Sequence, residues 1–141
     1  CDRRSARQVT TARLRTASTV LGLCGILLAS YLLYVRETGA TLACVSGGCE
    51  RVQSSQHAEV LGVPVVLLGL FAYIGILVTG VIRRPLASLA QSVLALAALG
   101  YAAYLLYVQL LVVGTVCDWC LANDLLVATL AIVSAARWAT D

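Results

Sequence analysis

The sequence predicts an all-α integral membrane protein, a four-transmembrane-helix bundle with a short surface helix in the first outer loop. Two observations carry this fold class. Of the 141 residues, 60% are hydrophobic and 12% charged, with a mean hydropathy of +0.90, which is too apolar for a water-soluble domain of this length. Four long stretches are also almost free of charge. Because about 20 residues cross a ~30 Å hydrocarbon core, four crossings use most of the chain. A single domain over residues 1–141 is therefore expected, with no room for a soluble catalytic domain.

The predicted spans lie at residues 17–35, 61–82, 86–112 and 119–136, after a basic tail at residues 1–16. The first span ends at Arg36 and the second at Arg83. The third is uncharged and longer than a straight crossing requires, so it is expected to tilt. The fourth contains one charged residue, Asp124, between Trp119 and Trp138, which suit a membrane interface.

Two segments admit a second interpretation. The basic tail and the first apolar run could form a signal peptide, but the run is long for one and no convincing cleavage site follows, which favours an anchoring span. Residues 51–60, Arg-Val-Gln-Ser-Ser-Gln-His-Ala-Glu-Val, are expected to form the surface helix, with a solvated loop as the equal alternative.

The arginines predict the orientation, since the chain has no lysine. Eight of the ten precede the first span, separate the second from the third, or follow the fourth: Arg3, Arg4, Arg7, Arg13, Arg15, Arg83, Arg84 and Arg137. By the positive-inside rule, both termini face the cytoplasm and the other two loops lie outside. The exclusive use of arginine and the richness in Ala, Val and Leu indicate a bacterial source, and hence the inner (cell) membrane.

Two cysteine pairs fall in the outer loops, Cys44-Val-Ser-Gly-Gly-Cys49 and Cys117-Asp-Trp-Cys120. Disulfides persist in that oxidising compartment. A CxxC disulfide closes a short ring that is easily reduced again, so it suits electron transfer better than stapling. The two glycines before Cys49 allow the first pair to move. A relay of two disulfides is therefore predicted.

The second pair falls where the fourth span begins. A helix N-terminus lowers the pKa of a thiol and favours the reactive thiolate. Cys120 should lie ~4.5 Å deeper than Cys117 along the helix axis. Cys117 is thus expected to face the aqueous loop and Cys120 the hydrocarbon. A lipid-soluble quinone is the simplest acceptor there, because a dithiol gives up two electrons and a quinone accepts two.

Together these features resemble the bacterial branch of the vitamin K epoxide reductase family. The resemblance covers roughly residues 17–137 and is carried by the paired loop cysteines, by Cys-Glu-Arg-Val-Gln-Ser-Ser from Cys49, by Leu-Gly-Val-Pro from Leu61, and by CxxC at the fourth helix. It implies a four-helix bundle around a quinone of the menaquinone, ubiquinone or phylloquinone type. It also implies a thioredoxin-like electron donor, expected to act in trans because many bacterial relatives carry this domain fused and the present sequence ends at Asp141.

The resemblance assigns a role to each cysteine. Cys44 would exchange with the partner, Cys49 would attack the Cys117–Cys120 disulfide at Cys117, and Cys120 would face the quinone. Ser55 matches a family serine beside the quinone.

The sequence departs from the animal enzymes near the expected quinone. They place a tyrosine four residues after the last cysteine, where this chain has Asp124, and they use an asparagine at the start of the second span that is absent here. Epoxide reduction is therefore not implied. Asp124 shares a helix face with Cys120 and could contact the quinone or relay a proton. An interfacial acid is the equal alternative, and Asn123 is a neutral competitor for the same role.

Other functions compete with the relay. The two pairs could be fixed disulfides in a structural four-span protein, or a Cys₄ zinc site, which the oxidising face disfavours. The quinone-linked oxidase of the unrelated bacterial disulfide system also has four helices, but its CxxC lies in the first outer loop. We expect no metal and no nucleic-acid partner. Cys1, Cys24 and His57 are expected to have no redox or catalytic role, Cys24 as a buried apolar residue and His57 as an exposed loop residue.

Overall fold

The computed structural model describes residues 2–140, and Cys1 therefore lies outside the described residues. Five α-helices contain most of these residues, so the predicted all-α class is confirmed. A 3₁₀ turn at Gln56–Ala58 and a two-stranded hairpin separate α2 from α3, and a π-helical turn at Val108–Val113 extends α4. The helices are α1 (Asp2–Thr38), α2 (Cys49–Gln53), α3 (Val65–Val81), α4 (Pro85–Tyr107) and α5 (Asp118–Thr140), and the strands are β1 (Glu59–Val60) and β2 (Val63–Pro64).

The four long helices form a bundle. Each packs against two neighbours in the cyclic order α1, α3, α4, α5. The core includes several alanines, which let the helices approach closely. The core contains Ala29, Tyr73, Ile76, Ala95, Ala102, Val127, Leu130 and Ala131.

Three helices of the described chain are long and apolar enough to cross a membrane: α1, α4 with its π-helical extension, and α5. The 17-residue α3 is equally apolar but shorter. It begins at Val65, later than predicted, because the hairpin occupies the preceding residues. In the turn of this hairpin, Leu61 (φ 52°) and Gly62 (φ 79°) adopt left-handed conformations, which are incompatible with a right-handed helix that begins at Leu61. The helix within residues 51–60 is likewise shorter than predicted, since α2 ends at Gln53.

Two of the arginines predicted to flank the spans, Arg15 and Arg137, lie at the end of the bundle opposite the two cysteine pairs. At one end, Arg15 of α1 donates to the carbonyl of Val81 at 3.0 Å, and Arg137 of α5 donates to the carbonyls of Gly80 and Ile82 at 2.8 and 3.0 Å. The part of α1 around Arg15 therefore lies beside the ends of α3 and α5. The loops with the two cysteine pairs lie at the other end.

Arg137 has a different environment from the one predicted for a flanking arginine. Its side chain is 1% exposed and also donates to Gln91 Oε1 at 2.6 Å. Buried guanidinium groups are tolerated when their hydrogen bonds are made internally. Arg137 thus joins the last turns of α3 and α5 to α4. Cys24 also departs from expectation, because it is exposed on α1.

Candidate redox site and adjoining cavity

The outer cysteine pair forms a disulfide between Cys44 and Cys49. Cys44 is half-buried in the loop after α1, whereas Cys49 is fully buried at the first residue of α2. The two sulfurs therefore differ in access. An incoming protein thiol can reach Cys44 but not Cys49.

The inner pair consists of free thiols at the start of α5. Cys117 is 0% exposed, and its backbone N–H donates to Gln109 Oε1 at 3.0 Å. The backbone N–H of Cys120, one turn later, donates to Cys117 Sγ at 3.3 Å. The prediction that Cys117 faces the aqueous loop was wrong, because the first outer loop folds over it.

Gly48 brings the two loops into contact. A Cβ at this position would overlap Thr115 Oγ1 and the carbonyl oxygen of Val116, so only glycine permits the close approach. Cys49 follows Gly48 and Cys117 follows Val116. The contact therefore joins the segments that carry the two buried cysteines, which the relay requires.

Asp118 and Trp119, the residues between the inner cysteines, hold the outer loop. Asp118 Oδ2 accepts the backbone N–H of Ser46 at 2.9 Å and lies 3.4 Å from Cys44 Sγ. The Trp119 indole N–H donates to the carbonyl of Ala43 at 2.6 Å. Nothing in the sequence signalled these contacts, and Trp119 was predicted only as an interface residue.

The environment of Cys117 favours its thiolate. A hydrogen bond from the Cys120 thiol lowers the pKa of Cys117 to about 7, and this effect outweighs burial, which alone would raise the pKa. Cys117 therefore ionises near neutral pH, as a leaving or attacking thiolate requires. The Cys120 thiol is the largest cause, and the backbone N–H groups of Cys120 and Trp119 at the start of α5 also lower the pKa, as predicted for a helix N-terminus.

A cavity of about 360 Å³ lies beside the inner pair, between the four long helices. Among residues 2–140, Cys120 is the cysteine that lines it, together with the predicted residues Ser55, Asn123 and Asp124. The hydroxyl of Ser55 donates to the carbonyl of Val52 at 2.7 Å. Most of the wall is apolar and includes Leu28, Leu32, Ile76, Ala102, Val127 and Leu130. A small planar or isoprenoid ligand suits such a wall.

Tyr73 and Gln109 also line the cavity, although no motif in the sequence indicated them. The Tyr73 hydroxyl donates to Asn123 Oδ1 at 2.7 Å. Within the described chain, Gln109 Nε2 and Asp124 Oδ2 are buried without a hydrogen-bond partner, so a donor and an acceptor remain free beside Cys120. The available signal was a phenol and an amide inside uncharged apolar runs, since polar groups within spans are costly and tend to be functional.

Two further lining residues come from the end of α1 and from the loop after α2. Arg36, at the end of α1, pairs with Glu59 and donates to the carbonyl of Gln53 at 3.2 Å. His57 is half-buried and lines the cavity, so the prediction of an exposed loop histidine was wrong. The first outer loop thus closes the cavity from the cysteine end.

Cys44, Cys49 and Asp118 place three potential metal-ligand atoms within 4.8 Å of one another. Only thiolate sulfurs bind zinc in structural cysteine sites. Because Cys44 and Cys49 form a disulfide here, metal binding and the observed disulfide are mutually exclusive at this position.

The chain matches the model of the vitamin K epoxide reductase family over residues 16–135. The matched region contains both cysteine pairs, the cavity and all four long helices, apart from the ends of α1 and α5. It also covers most of the chain, as the resemblance of the sequence motifs predicted. The protein therefore belongs to the vitamin K epoxide reductase family and is a membrane thiol–disulfide oxidoreductase.

Proposed function

We propose that this protein oxidises a thioredoxin-like partner and passes the electrons through two cysteine pairs to a quinone, in support of disulfide bond formation. The observation that carries the proposal is the position of Cys120. It belongs to the inner pair and also lines the apolar cavity. A single side chain therefore connects thiol exchange with a site suited to a lipid-soluble acceptor.

The first exchange takes place at the outer disulfide. A partner thiolate attacks Cys44 Sγ, the more accessible sulfur, and Cys49 leaves as a thiolate. The second partner thiol, once deprotonated, attacks the partner sulfur of the mixed disulfide and releases Cys44. The partner is then oxidised, and Cys44 and Cys49 are reduced.

The second exchange passes the electrons inward. The Cys49 thiolate attacks the Cys117–Cys120 disulfide at Cys117, and Cys120 leaves as a thiolate toward the cavity. Cys44 then attacks Cys49 Sγ, which restores the Cys44–Cys49 disulfide and releases Cys117. An outer disulfide with an inner dithiol, the combination in this structure, is the state expected after this transfer.

The cavity residues fit a quinone. Its volume of about 360 Å³ lies within the usual range of ~300–1,000 Å³ for small-molecule sites. When bound, a quinone would supply the two-electron acceptor that turns the inner dithiol back into a disulfide. Gln109 Nε2 can donate to a carbonyl oxygen, Tyr73 holds Asn123 in place, and Asp124 can hold a proton.

We propose that α1, α3, α4 and α5 cross a bacterial inner membrane, with both termini in the cytoplasm and the cysteine end outside. The excess of arginines at the end opposite the cysteine pairs, eight against Arg36 and Arg51 at the cysteine end, supports this orientation. At ~1.5 Å per residue, α3 extends about 25 Å, slightly less than the hydrocarbon core. Its neighbouring extended residues would complete that crossing at the interface.

The test follows quinol formation spectroscopically after a reduced thioredoxin-like protein is mixed with the enzyme and a short-chain quinone in detergent. We expect quinol to form in step with partner oxidation and to stop in Cys120→Ser. Cys24→Ser, which changes an exposed cysteine outside the relay, is the matched control and should keep the full rate. Two disulfides that resist the partner altogether would instead support the structural four-span alternative.

A further inference from the structure

Asp118 makes two contacts that the exchange steps above leave unused. Its Oδ2 accepts the Ser46 backbone N–H at 2.9 Å and lies 3.4 Å from Cys44 Sγ. The hydroxyl of Ser46 lies 3.3 Å from the same sulfur and donates to the carbonyl of Val116 at 2.7 Å. The carboxylate is therefore fixed against the accessible sulfur of the outer pair from the first residue of α5.

We infer that Asp118 selects Cys49 as the nucleophile by accepting a hydrogen bond from the Cys44 thiol once the outer disulfide is reduced. This inference rests on the proposed relay. A disulfide sulfur has no proton to donate, so the Cys44–Asp118 hydrogen bond can exist only in the reduced state. The contact is thus sensitive to the redox state of the outer pair.

The selection works through charge. A carboxylate beside Cys44 stabilises the thiol and disfavours a second negative charge on the same sulfur. The single thiolate of the reduced outer pair therefore resides on Cys49, which lies on the buried side next to the segment carrying Cys117. Attack on the inner disulfide by Cys44 would bypass Cys49, and protonation of Cys44 slows that attack.

The proton is released at the next step. After Cys49 has bonded to Cys117, Cys44 must attack Cys49 Sγ as a thiolate. Its proton passes to Asp118 Oδ2 and from this half-buried carboxylate to water, while Cys117 leaves as the thiolate. One S–S bond forms and one breaks, and no further oxidant or reductant is needed.

The titratable groups on the elements packed against Cys44 belong to α2 and to the start of α5. Cys49 approaches it from α2, Asp118 from α5, and Cys117 lies just before Asp118 in the covered segment. Glu50 and Arg51 follow on α2, and both side chains are exposed. Asp118 is the carboxylate that the structure places in contact with the sulfur.

The test measures the pH dependence of Cys44 alkylation by iodoacetamide, read by peptide mass spectrometry, in a Cys49→Ser background that leaves Cys44 free. With Asp118→Asn, we expect the pH midpoint of Cys44 alkylation to fall and the alkylation rate at neutral pH to rise about three- to tenfold. A decrease of about half to one unit in the Cys44 pKa produces a change of this size. Asp118→Glu keeps the charge and should keep the midpoint close to that of the parent.

Trp119→Phe is the matched structural control. It removes the indole N–H bond to the Ala43 carbonyl, and so loosens the same loop, without changing any charge. We expect its Cys44 midpoint to match that of the parent protein. An equal shift in Trp119→Phe and Asp118→Asn would mean that loop mobility, not the carboxylate, sets the reactivity, and would overturn the inference.

A trapping experiment tests the selection itself. In a Cys120→Ser background, the Cys117 thiolate attacks the Cys44–Cys49 disulfide and should be trapped mainly with Cys49, which releases Cys44 as the thiol beside Asp118. Adding Asp118→Asn should increase the share of Cys117 trapped with Cys44. An unchanged distribution would contradict the role of Asp118. Neither measurement requires quinone turnover, so a failure of the proposed quinone reduction and a failure of this inference are distinguishable.

Discussion

The Tyr73 hydroxyl donates a hydrogen bond to Asn123 Oδ1 at 2.7 Å inside the cavity that Cys120 lines. The bond joins α3 to α5 across the bundle. With its oxygen engaged, the Asn123 side chain presents its amide N–H groups, which also hydrogen-bond the neighbouring Asp124 carboxyl group. Tyr73 thereby orients the Asn123 amide so that its N–H groups, not its oxygen, face a ligand in the cavity. No motif in the sequence indicated this role.

Replacement of this phenol should weaken quinone binding. In Tyr73→Phe the ring packing is retained but Asn123 loses its orienting donor, and a net hydrogen bond is worth about 1 kcal/mol, or roughly a fivefold change in affinity. We expect the KM for quinone to rise about fivefold while the KM for the partner protein stays the same. Tyr34→Phe, on the exposed side of α1, is the control. A loss of affinity in Asn123→Ala but none in Tyr73→Phe would argue against this coupling.

A glycine on α1 makes room for the same ring. A Cβ at Gly25 would overlap the ring of Tyr73, whereas a Cβ at Gly100 on α4 would meet open space. Gly25→Ala should therefore lower the free energy of unfolding by about 1–3 kcal/mol, the usual cost of overpacking. Gly100→Ala should be neutral or slightly stabilising, because alanine is the better helix former.

Thermal unfolding in detergent measures both glycine variants. A double variant of Gly25→Ala with Tyr73→Leu should lose less stability than the sum of the single changes, because the smaller side chain relieves the overlap. Equal effects of alanine at positions 25 and 100 would show that the Tyr73 ring moves aside without cost.

Composition and the long, nearly charge-free stretches were sufficient to predict the all-α membrane fold, and the family followed from the order of the motifs. Hydropathy works well here because a membrane leaves the helix as the main structure that satisfies its own backbone hydrogen bonds. It failed at the start of α3. The run from Leu61 is as apolar as a helix, but Gly62 favours the left-handed turn of the hairpin, a local conformational effect that hydropathy does not register.

The side-chain contacts between helices could not be predicted in the same way. From the sequence, Arg137 is predicted to lie at the membrane interface. The packing of the helix ends instead buries it among Gly80, Ile82 and Gln91. The sequence likewise indicates only that Asp118 is a polar residue at the start of a helix. Its contact with Cys44 depends on how the first outer loop folds over α5, which is a long-range relationship.

The pKa of Cys117, about 7, makes a direct prediction for the reduced protein. The ionised fraction of Cys117 should increase as the pH rises through about 7, because the hydrogen bond from Cys120 stabilises the thiolate. In Cys120→Ala that donor is lost, and the transition should move to higher pH. Cys120→Ser keeps a hydroxyl donor and should shift less.

The ultraviolet absorbance of the thiolate, compared with a Cys117→Ser blank, follows this titration. At neutral pH a larger fraction of Cys117 should be ionised in the parent protein than in Cys120→Ala. A transition that stays in place in Cys120→Ala would assign the low pKa to another neighbour, since the hydrogen bond would then contribute nothing.

Asp124 provides the final prediction, because its Oδ2 is buried without a hydrogen-bond partner in the described part of the cavity wall. A carboxyl group in that position can deliver a proton to a reduced quinone, and general acid catalysis contributes ~100-fold or more to such steps. Asp124→Asn keeps the size and polarity but cannot carry the proton. We expect quinol formation to slow by about tenfold or more, with no change in the trapped Cys49–Cys117 disulfide. Glu37→Gln, an exposed acid at the outer end of α1, should keep the parent rate. Unchanged turnover of Asp124→Asn across the working pH range would mean that water, not this carboxyl group, supplies the proton.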